Sequence, residues 1–186
     1  EIVWGNTRFD MSQKITIITG SVDSGKTTFV KELISRFHRE RLSICGIYSD
    51  AVISDGRKTG YDVVNISSGE RLELCRERSD RIQPGQLKFE FFSEGIDFGF
   101  KSLKQQFQGH CEFLIIDEVG PLELDDRGWA PALGSVFNEF NYNIILVIRD
   151  HLVEKIIEKW QLTNPQIINI NDETIERIFE KFLSEK

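Results

Sequence analysis

The sequence predicts an α/β domain of three layers, with a mostly parallel sheet, helices on both faces, and an antiparallel β-meander inserted into it. Three observations carry this. Apolar runs at residues 113–116 and 144–148, and the Ile-Thr-Ile-Ile stretch at 15–18, have the length and character of strands buried on both faces. Stretches with apolar residues spaced three and four apart alternate with them, as helices that cover a sheet must. Between residues 51 and 75, Asp55-Gly56 and Ser68-Gly69 are turn signals that separate short strands.

In chain order, residues 15–19 read as the first strong strand. The helix after it carries Phe29, Val30, Leu33, Ile34 and Phe37 on one stripe. Residues 42–49 are the next strand. The meander follows, with strands at 61–66 and 71–75, then a charged loop at 76–86 and a strand at 87–92. A helix is expected over 96–107, a buried strand over 111–117, a helix over 128–140 that starts near Pro131, and a strand over 143–148. Asp150 is expected to cap the helix bearing Leu152, Val153, Ile156, Ile157 and Trp160. Residues 166–170 form a last strand. Asp172 is expected to cap the closing helix, whose stripe is Ile175, Ile178, Phe179, Phe182 and Leu183. Residues 1–13, with a short strand at Ile2-Val3-Trp4, read as an N-terminal extension of open role, and 14–186 as the domain.

Composition excludes several classes. A chain of 186 residues with 40% hydrophobic and 28% charged side chains can bury one full core without staples. A net charge of -7 offers no general basic face for nucleic acid. The longest apolar run is five residues, 144–148, far short of a membrane span. The opening residues lack an export pattern, so a cytoplasmic protein is expected. Cys45, Cys75 and Cys111 have no C-x-x-C spacing and read as buried thiols in a reducing compartment rather than a disulfide framework or zinc site. His38, His110 and His151 lie far apart and are not read as ligands.

Gly20-Ser21-Val22-Asp23-Ser24-Gly25-Lys26-Thr27 matches the phosphate-loop pattern G-x-x-x-x-G-K-[ST], after a buried strand and at the start of a helix. Backbone N–H groups of such a loop and of the first helical turn, reaching Thr28, converge on an anion, and the helix dipole adds to their field. Gly25 permits close approach to phosphates, Lys26 places a cation between the β- and γ-phosphates, and Thr27 offers a hydroxyl to Mg²⁺. Asp23 is expected to serve the turn and point away from the phosphates.

Phe113-Leu114-Ile115-Ile116-Asp117-Glu118 runs four apolar residues into two carboxylates at the ligand end of a parallel strand. Asp117 is expected to hold the magnesium, directly or through water. Glu118 is placed to orient or deprotonate a water lined up on the γ-phosphate. Asp117-Glu118-Val119-Gly120 also fits the D-x-x-G of GTPases, but the guanine-reading N-K-x-D is absent.

Three further segments follow the phosphate loop: Gly46-Ile47-Tyr48-Ser49-Asp50, Gly56-Arg57-Lys58-Thr59-Gly60-Tyr61-Asp62-Val63-Val64, and Ile116-Asp117-Glu118-Val119-Gly120-Pro121-Leu122-Glu123-Leu124. In this order they resemble the cancer-related nucleoside-triphosphatase family. There the corresponding segments are G-F-x-T-x-E, R-x-G-F-D and D-E-I-G-x-M-E-L. The similarity covers about residues 14–170. It implies the P-loop NTPase fold with an extra strand between the two phosphate-site strands. It also implies Mg²⁺-dependent hydrolysis of the terminal phosphate of ATP, GTP and other triphosphates, with shallow base preference. Ser21, Val22 and Asp23 replace the family's frequent Pro, Pro and Gly. Of its Thr-x-His-Arg-like strand ending, Val147-Ile148-Arg149 keeps only the arginine.

The remaining candidates each have two readings. Arg149 can neutralise charge in the transition state, or pair with Asp150 or Glu154 at the surface. Arg57 and Lys58, at a hairpin tip, can fold over a nucleotide or stand in solvent. Arg76, Arg78 and Arg81 can clamp phosphates, but interleaved Glu77 and Asp80 favour a neutralised surface loop. Trp4, Trp129 and Trp160 read as packing residues. Glu123 braces the loop after Glu118 or is exposed. The catalytic set is therefore Lys26, Glu118 and Arg149, the metal set Thr27 and Asp117, and the ligands nucleoside triphosphates and Mg²⁺. Membrane association is not expected, and a monomer is slightly favoured. The rival functions are a phosphotransferase acting on a small acceptor, and a nucleotide-gated binding module with slow hydrolysis.

Overall fold

A computed structural model describes residues 14–79, 87–105, 111–139 and 143–184. Eight strands form one sheet in the order β5-β4-β3-β2-β6-β7-β1-β8. They are β1 (Lys14–Gly20), β2 (Ile44–Ser54), β3 (Arg57–Asn65), β4 (Arg71–Glu77), β5 (Phe89–Phe91), β6 (Phe113–Val119), β7 (Asn143–Arg149) and β8 (Gln166–Asn169). The pairs β2·β6, β6·β7, β7·β1 and β1·β8 are parallel, while β2·β3, β3·β4 and β4·β5 are antiparallel. The expected parallel sheet and meander are both present. β7 lies between β1 and β6, the extra strand that the resemblance implied.

The strands are apolar on both sides, with a buried Thr16 in the first, because both of their faces are covered. Successive side chains point to opposite faces. Ile17, Leu114, Ile116, Ile144 and Leu146 belong to one core, and Ile18, Phe113, Ile115, Ile145 and Val147 to the other. The first core is covered by α2 (Ser93–Gln105), α4 (Ala130–Glu139) and α5 (Val153–Trp160) through Leu103, Leu133, Val136 and Ile156. The second is covered by α1 (Lys26–Arg39) and α6 (Ile175–Ser184) through Val30, Leu33, Phe37, Ile178 and Phe182. Phe37 stacks on Phe113 with ring centroids 4.6 Å apart, an arrangement that adds about 1 kcal/mol to simple burial.

β2 bridges the two sheet styles. Its residues Ile44–Ile47 pair with β6, and Ile47–Ser54 pair with β3. The strand expected to stop at Ser49 thus continues as the first arm of the meander. The turns fall where expected, with Asp55, Gly56 and Gly69 all at positive φ. A four-residue helix, α3 (Pro121–Leu124), was not legible in the pattern.

Two expected caps are corrected. Asp150 opens a 3-10 turn, Asp150–Leu152, and its Oδ1 accepts from His151 N at 2.8 Å rather than from α5. At α6 the capping oxygen is Thr174 Oγ1, which accepts from Arg177 N at 3.5 Å, not Asp172. Both are exposed chain turns where neighbouring polar residues compete for the same N–H groups.

The cysteine reading is also corrected. Cys45 and Cys111 form a disulfide, with Cα atoms 6.0 Å apart. Parallel pairing puts Cys45 opposite Leu114, and the chain entering β6, with Glu112 N and Phe113 N donating to Ser43 O, brings Cys111 within reach of it. A separation of 66 residues carries no such signal in sequence. Cys75 is the free thiol and is buried. Burial pushes its pKa up to about 11, so it is a poor nucleophile. Alkylation of the denatured, unreduced chain is expected to modify one cysteine and the reduced chain three, and mass spectrometry checks this. Modification of all three without reductant would contradict the disulfide.

Among the described residues, no helix is long and apolar enough to cross a membrane. The expected strand at Ile2-Val3-Trp4, Arg81 and His110 lie outside the described residues.

Candidate active site at the strand ends

The C-terminal ends of β1, β6 and β7 meet at one edge of the sheet, where parallel strands leave their ligand crevice. β1 ends at Gly20, which pairs with Arg149 at the end of β7. From Gly20 the chain turns through residues 21–25 into α1, with Ser24 N donating to Ser21 O at 3.3 Å and Phe29 N to Gly25 O at 2.9 Å. Two glycines are required here. A Cβ on Gly20 would meet Ser24 Oγ at 2.7 Å, and Gly25 has φ +89°, a conformation that side-chain-bearing residues rarely adopt.

Lys26 is 8% exposed. Its Nζ donates to Gly20 O at 2.9 Å and Ser21 O at 2.6 Å, so the ammonium is held inside the curve of its own loop. Burial lowers its pKa below the ordinary lysine value, and the nearby Glu118 and Asp117 carboxylates oppose that shift. Asp23 takes the left-handed backbone, φ 58°. Its exposed carboxylate pairs with Lys58, 2.6 Å away, and both residues line the recess over the loop. The Lys58 ammonium pair lowers the Asp23 pKa.

Asp117 is 1% exposed. Its Oδ2 accepts from Thr27 Oγ1 at 3.2 Å and from Ser49 N at 3.3 Å, while Oδ1 is buried with no protein partner. Burial first, then the neighbouring Glu118 carboxylate, push its pKa up to about 7. β6 runs two residues past its expected end at Asp117, through Glu118 to Val119. Its register with β7 shifts between Ile116 and Val119, and Glu118 has φ 64°. Holding a glutamate in that region costs about 1–2 kcal/mol, and it separates the two carboxylates in direction. Glu118 Oε2 lies 3.4 Å from an Arg149 guanidinium nitrogen. Arg149 therefore pairs with neither Asp150 nor Glu154.

A buried, half-coordinated carboxylate beside a hydroxyl is a hard-oxygen donor set, and this fits Mg²⁺. Thr27 and Asp117 are the residues that would hold the ion. The recess over the loop is lined by residues 23–28, Ala51, Lys58, Tyr61 and Glu118.

The secondary candidates resolve separately. Glu123 is the brace. It is 3% exposed, and its two oxygens accept from Gly120 N at 2.9 Å and Trp129 N at 3.1 Å. Each N–H left unpaired by its loss would cost about 1–3 kcal/mol. Arg76 bonds Asp62 at 2.8 Å and Glu73 at 2.7 Å, and Arg78 lies 3.7 Å from Glu90. Both are spent on the meander's own acids. Arg57 pairs with Glu77, whereas Lys58 reaches the loop. Trp129 is buried and Trp160 packs against Phe137. Ser49 and Tyr61, which line the site, were not singled out. Ser49 sits in the Gly46–Asp50 segment, and only that placement pointed to it.

A glycine-punctuated loop between strand and helix, with a buried lysine, threonine and acidic pair around it, defines a P-loop α/β protein of the nucleoside-triphosphate-binding class. The profile of the family described as NTPase matches residues 15–183. The chain belongs to that NTPase family, and is by membership a nucleoside triphosphatase, a hydrolase. It is similar to a protein named nucleoside-triphosphatase THEP1 from Methanopyrus kandleri, at 24% identity over 90% of this chain and 94% of that one. A protein of the same name from a Thermotoga species is 25% identical over 90% and 92%. Two solved structures share the fold with a TM-score of 0.69 each. A human cancer-related nucleoside triphosphatase is 21% identical over 92% of this chain and 96% of that one. THEP1 from Aquifex aeolicus is 20% identical over 91% and 97%.

Proposed function

We propose that residues 14–186 act as one Mg²⁺-dependent unit that hydrolyses the terminal phosphate of ATP, GTP and other nucleoside triphosphates with shallow base preference. The observation that supports this reading is that Lys26, Thr27 and Glu118 line one recess, with Asp117 bonded to Thr27 and Arg149 paired with Glu118 behind them. Loop N–H groups of residues 20–28 bind the phosphates, and Lys26 exchanges its carbonyl partners for phosphate oxygens. Thr27 and Asp117 would hold a Mg²⁺ ion, which would neutralise charge on the phosphate oxygens. Glu118 orients the attacking water and takes its proton, and Arg149 offsets charge that develops on the transferring group. The chemistry is positioning plus electrostatics, with no covalent intermediate on the protein.

Base preference is shallow in this reading because the sequence lacks a guanine-reading N-K-x-D string. kcat/KM for ATP, GTP, CTP and UTP, measured with Mg²⁺ under one set of conditions, is expected to span less than about a hundredfold, near 2.7 kcal/mol. A larger preference for one base would overturn it. Nucleoside triphosphates and magnesium are abundant in the cytoplasm, and we place the protein there. The Cys45–Cys111 bond is compatible with that placement because both cysteines are buried and shielded from reductant.

A further inference from the structure

A second cavity of about 120 Å³ opens beside the phosphate-loop recess. The two share Tyr61 and Glu118, so Glu118 stands on the wall between them. Hydrolysis needs no such space, because water requires none of it. The cavity's chemistry also differs from that of the recess. Tyr61, Phe89, Phe91 and Trp129 give it aromatic walls, and α2 and α3 contribute Ile96 and Leu122. Its polar lining includes Ser49, Glu118, Arg149 and Glu123, the last already accepting from Gly120 N and Trp129 N. Ser49 is 1% exposed and its hydroxyl has no hydrogen-bond partner. A buried hydroxyl without a partner is costly in a native site, and a ligand hydroxyl would satisfy it.

The volume limits the occupant. A dry apolar cavity of roughly 150 Å³ takes one benzene molecule, so this smaller cavity holds at most one ring, and any substituent must project past Glu118 toward the recess. Aromatic walls with a few convergent polar groups are the usual make-up of a small-molecule site. The geometry points to a phosphoryl-acceptor pocket, for one aromatic or heteroaromatic ring that carries a hydroxymethyl group. The ring lies between Tyr61, Phe89, Phe91 and Trp129, and its hydroxyl lies between Ser49 and Glu118. This inference rests on the reading that the γ-phosphate sits between Lys26 and Glu118. The step balances without any further reactant. The acceptor oxygen forms a bond to the γ-phosphorus as the bond to the β,γ-bridging oxygen breaks. That electron pair leaves with the nucleoside diphosphate, and the hydroxyl proton passes to Glu118. The products are a phosphate monoester and the diphosphate. Water entering the same position gives inorganic phosphate.

The test uses the full chain with Mg-ATP, and benzyl alcohol and 3-pyridinemethanol as probes. Binding is followed through the Trp129 indole N–H resonance with a non-hydrolysable ATP analogue present. Products are counted by phosphorus NMR as ester against inorganic phosphate. Binding tighter than about 10 mM is expected for at least one probe. At saturation the ester should make up at least about a tenth of the phosphate transferred, the share expected of a held acceptor competing with water. Ile96→Trp, which fills the cavity, should lower the ester-to-phosphate ratio at least about tenfold through lost positioning. Leu122→Trp serves as a second filling variant if the first does not fold. Absence of binding by both probes, binding without ester, or an unchanged ratio in the folded filling variants would each overturn the acceptor pocket. Phosphate release without probe is read in the same series. Its absence would count against hydrolysis alone, because ester formation is scored separately.

Discussion

Lys26→Ala is expected to lower phosphate release at least about a thousandfold and to weaken ATP binding about a hundredfold, the scale of losing a charge-assisted contact that strengthens in the transition state. Adenosine binding should change by less than about threefold, since ordinary surface contacts contribute little each. The reasoning starts from where the ammonium now sits. Lys26 is nearly enclosed and donates to the carbonyls of Gly20 and Ser21. Alanine leaves those two carbonyls to water and takes a cation from a loop otherwise built of amide dipoles. Lys58, which also lines the recess, is tied to Asp23 at 2.6 Å. It cannot replace a charge that enters along the helix. Isothermal titration with adenosine, ADP and ATP, beside a phosphate-release assay, checks the pattern. Near-normal turnover would sink the phosphate-loop assignment, and equal weakening of adenosine and ATP would point to a misfolded loop instead.

Glu118→Gln is expected to reduce kcat by about 10² to 10⁴, the usual worth of general-base help. Glutamine keeps the shape and can still bond a water, but it cannot take the proton. ATP affinity should hold or rise slightly, since a carboxylate next to the γ-phosphate position is removed and Arg149, now 3.4 Å from it, is released toward the phosphates. Asp117→Asn is the contrast. That side chain is buried against Thr27 and Ser49 with one oxygen unpartnered, so its loss should move the Mg²⁺ dependence to higher concentration and weaken binding itself. Metal titrations of the two variants separate the roles. Normal hydrolysis by Glu118→Gln together with failure of Asp117→Asn would make Glu118 a strand-end carboxylate, and would favour a nucleotide-gated module over an enzyme of independent turnover.

The correct sequence inferences share a physical origin, because each rests on local geometry. Residues 15–18, 113–116 and 144–148 had to be buried strands, since apolar side chains on both sides of an extended chain need cover on both faces. The meander's turns were legible because Asp55-Gly56 and Ser68-Gly69 tolerate positive φ. The phosphate loop was legible because its glycines, lysine and threonine act within eight consecutive residues. By contrast, the caps assigned to Asp150 and Asp172 failed even though they are local. Several polar residues stand at each helix start, and composition does not rank them.

The sequence by itself determined the fold class, the strand–loop–helix cradle and the identity of the residues that end at it. Each of these follows from side-chain period and from backbone chemistry within a few residues. The tertiary structure alone decided what those residues meet. Parallel pairing of β2 with β6 joins Cys45 to Cys111 and brings Ser49 to Asp117. The register shift in β6 gives Glu118 its positive φ and sends it to Arg149. The fold of α3 buries Glu123 under Gly120 and Trp129. The meander's return over the loop sets Lys58 on Asp23 and walls a second cavity with Tyr61. Apart from the Glu123 contacts, these join residues tens of positions apart and are fixed by sheet order and register, and the residue pattern along one strand carries no information about its neighbour.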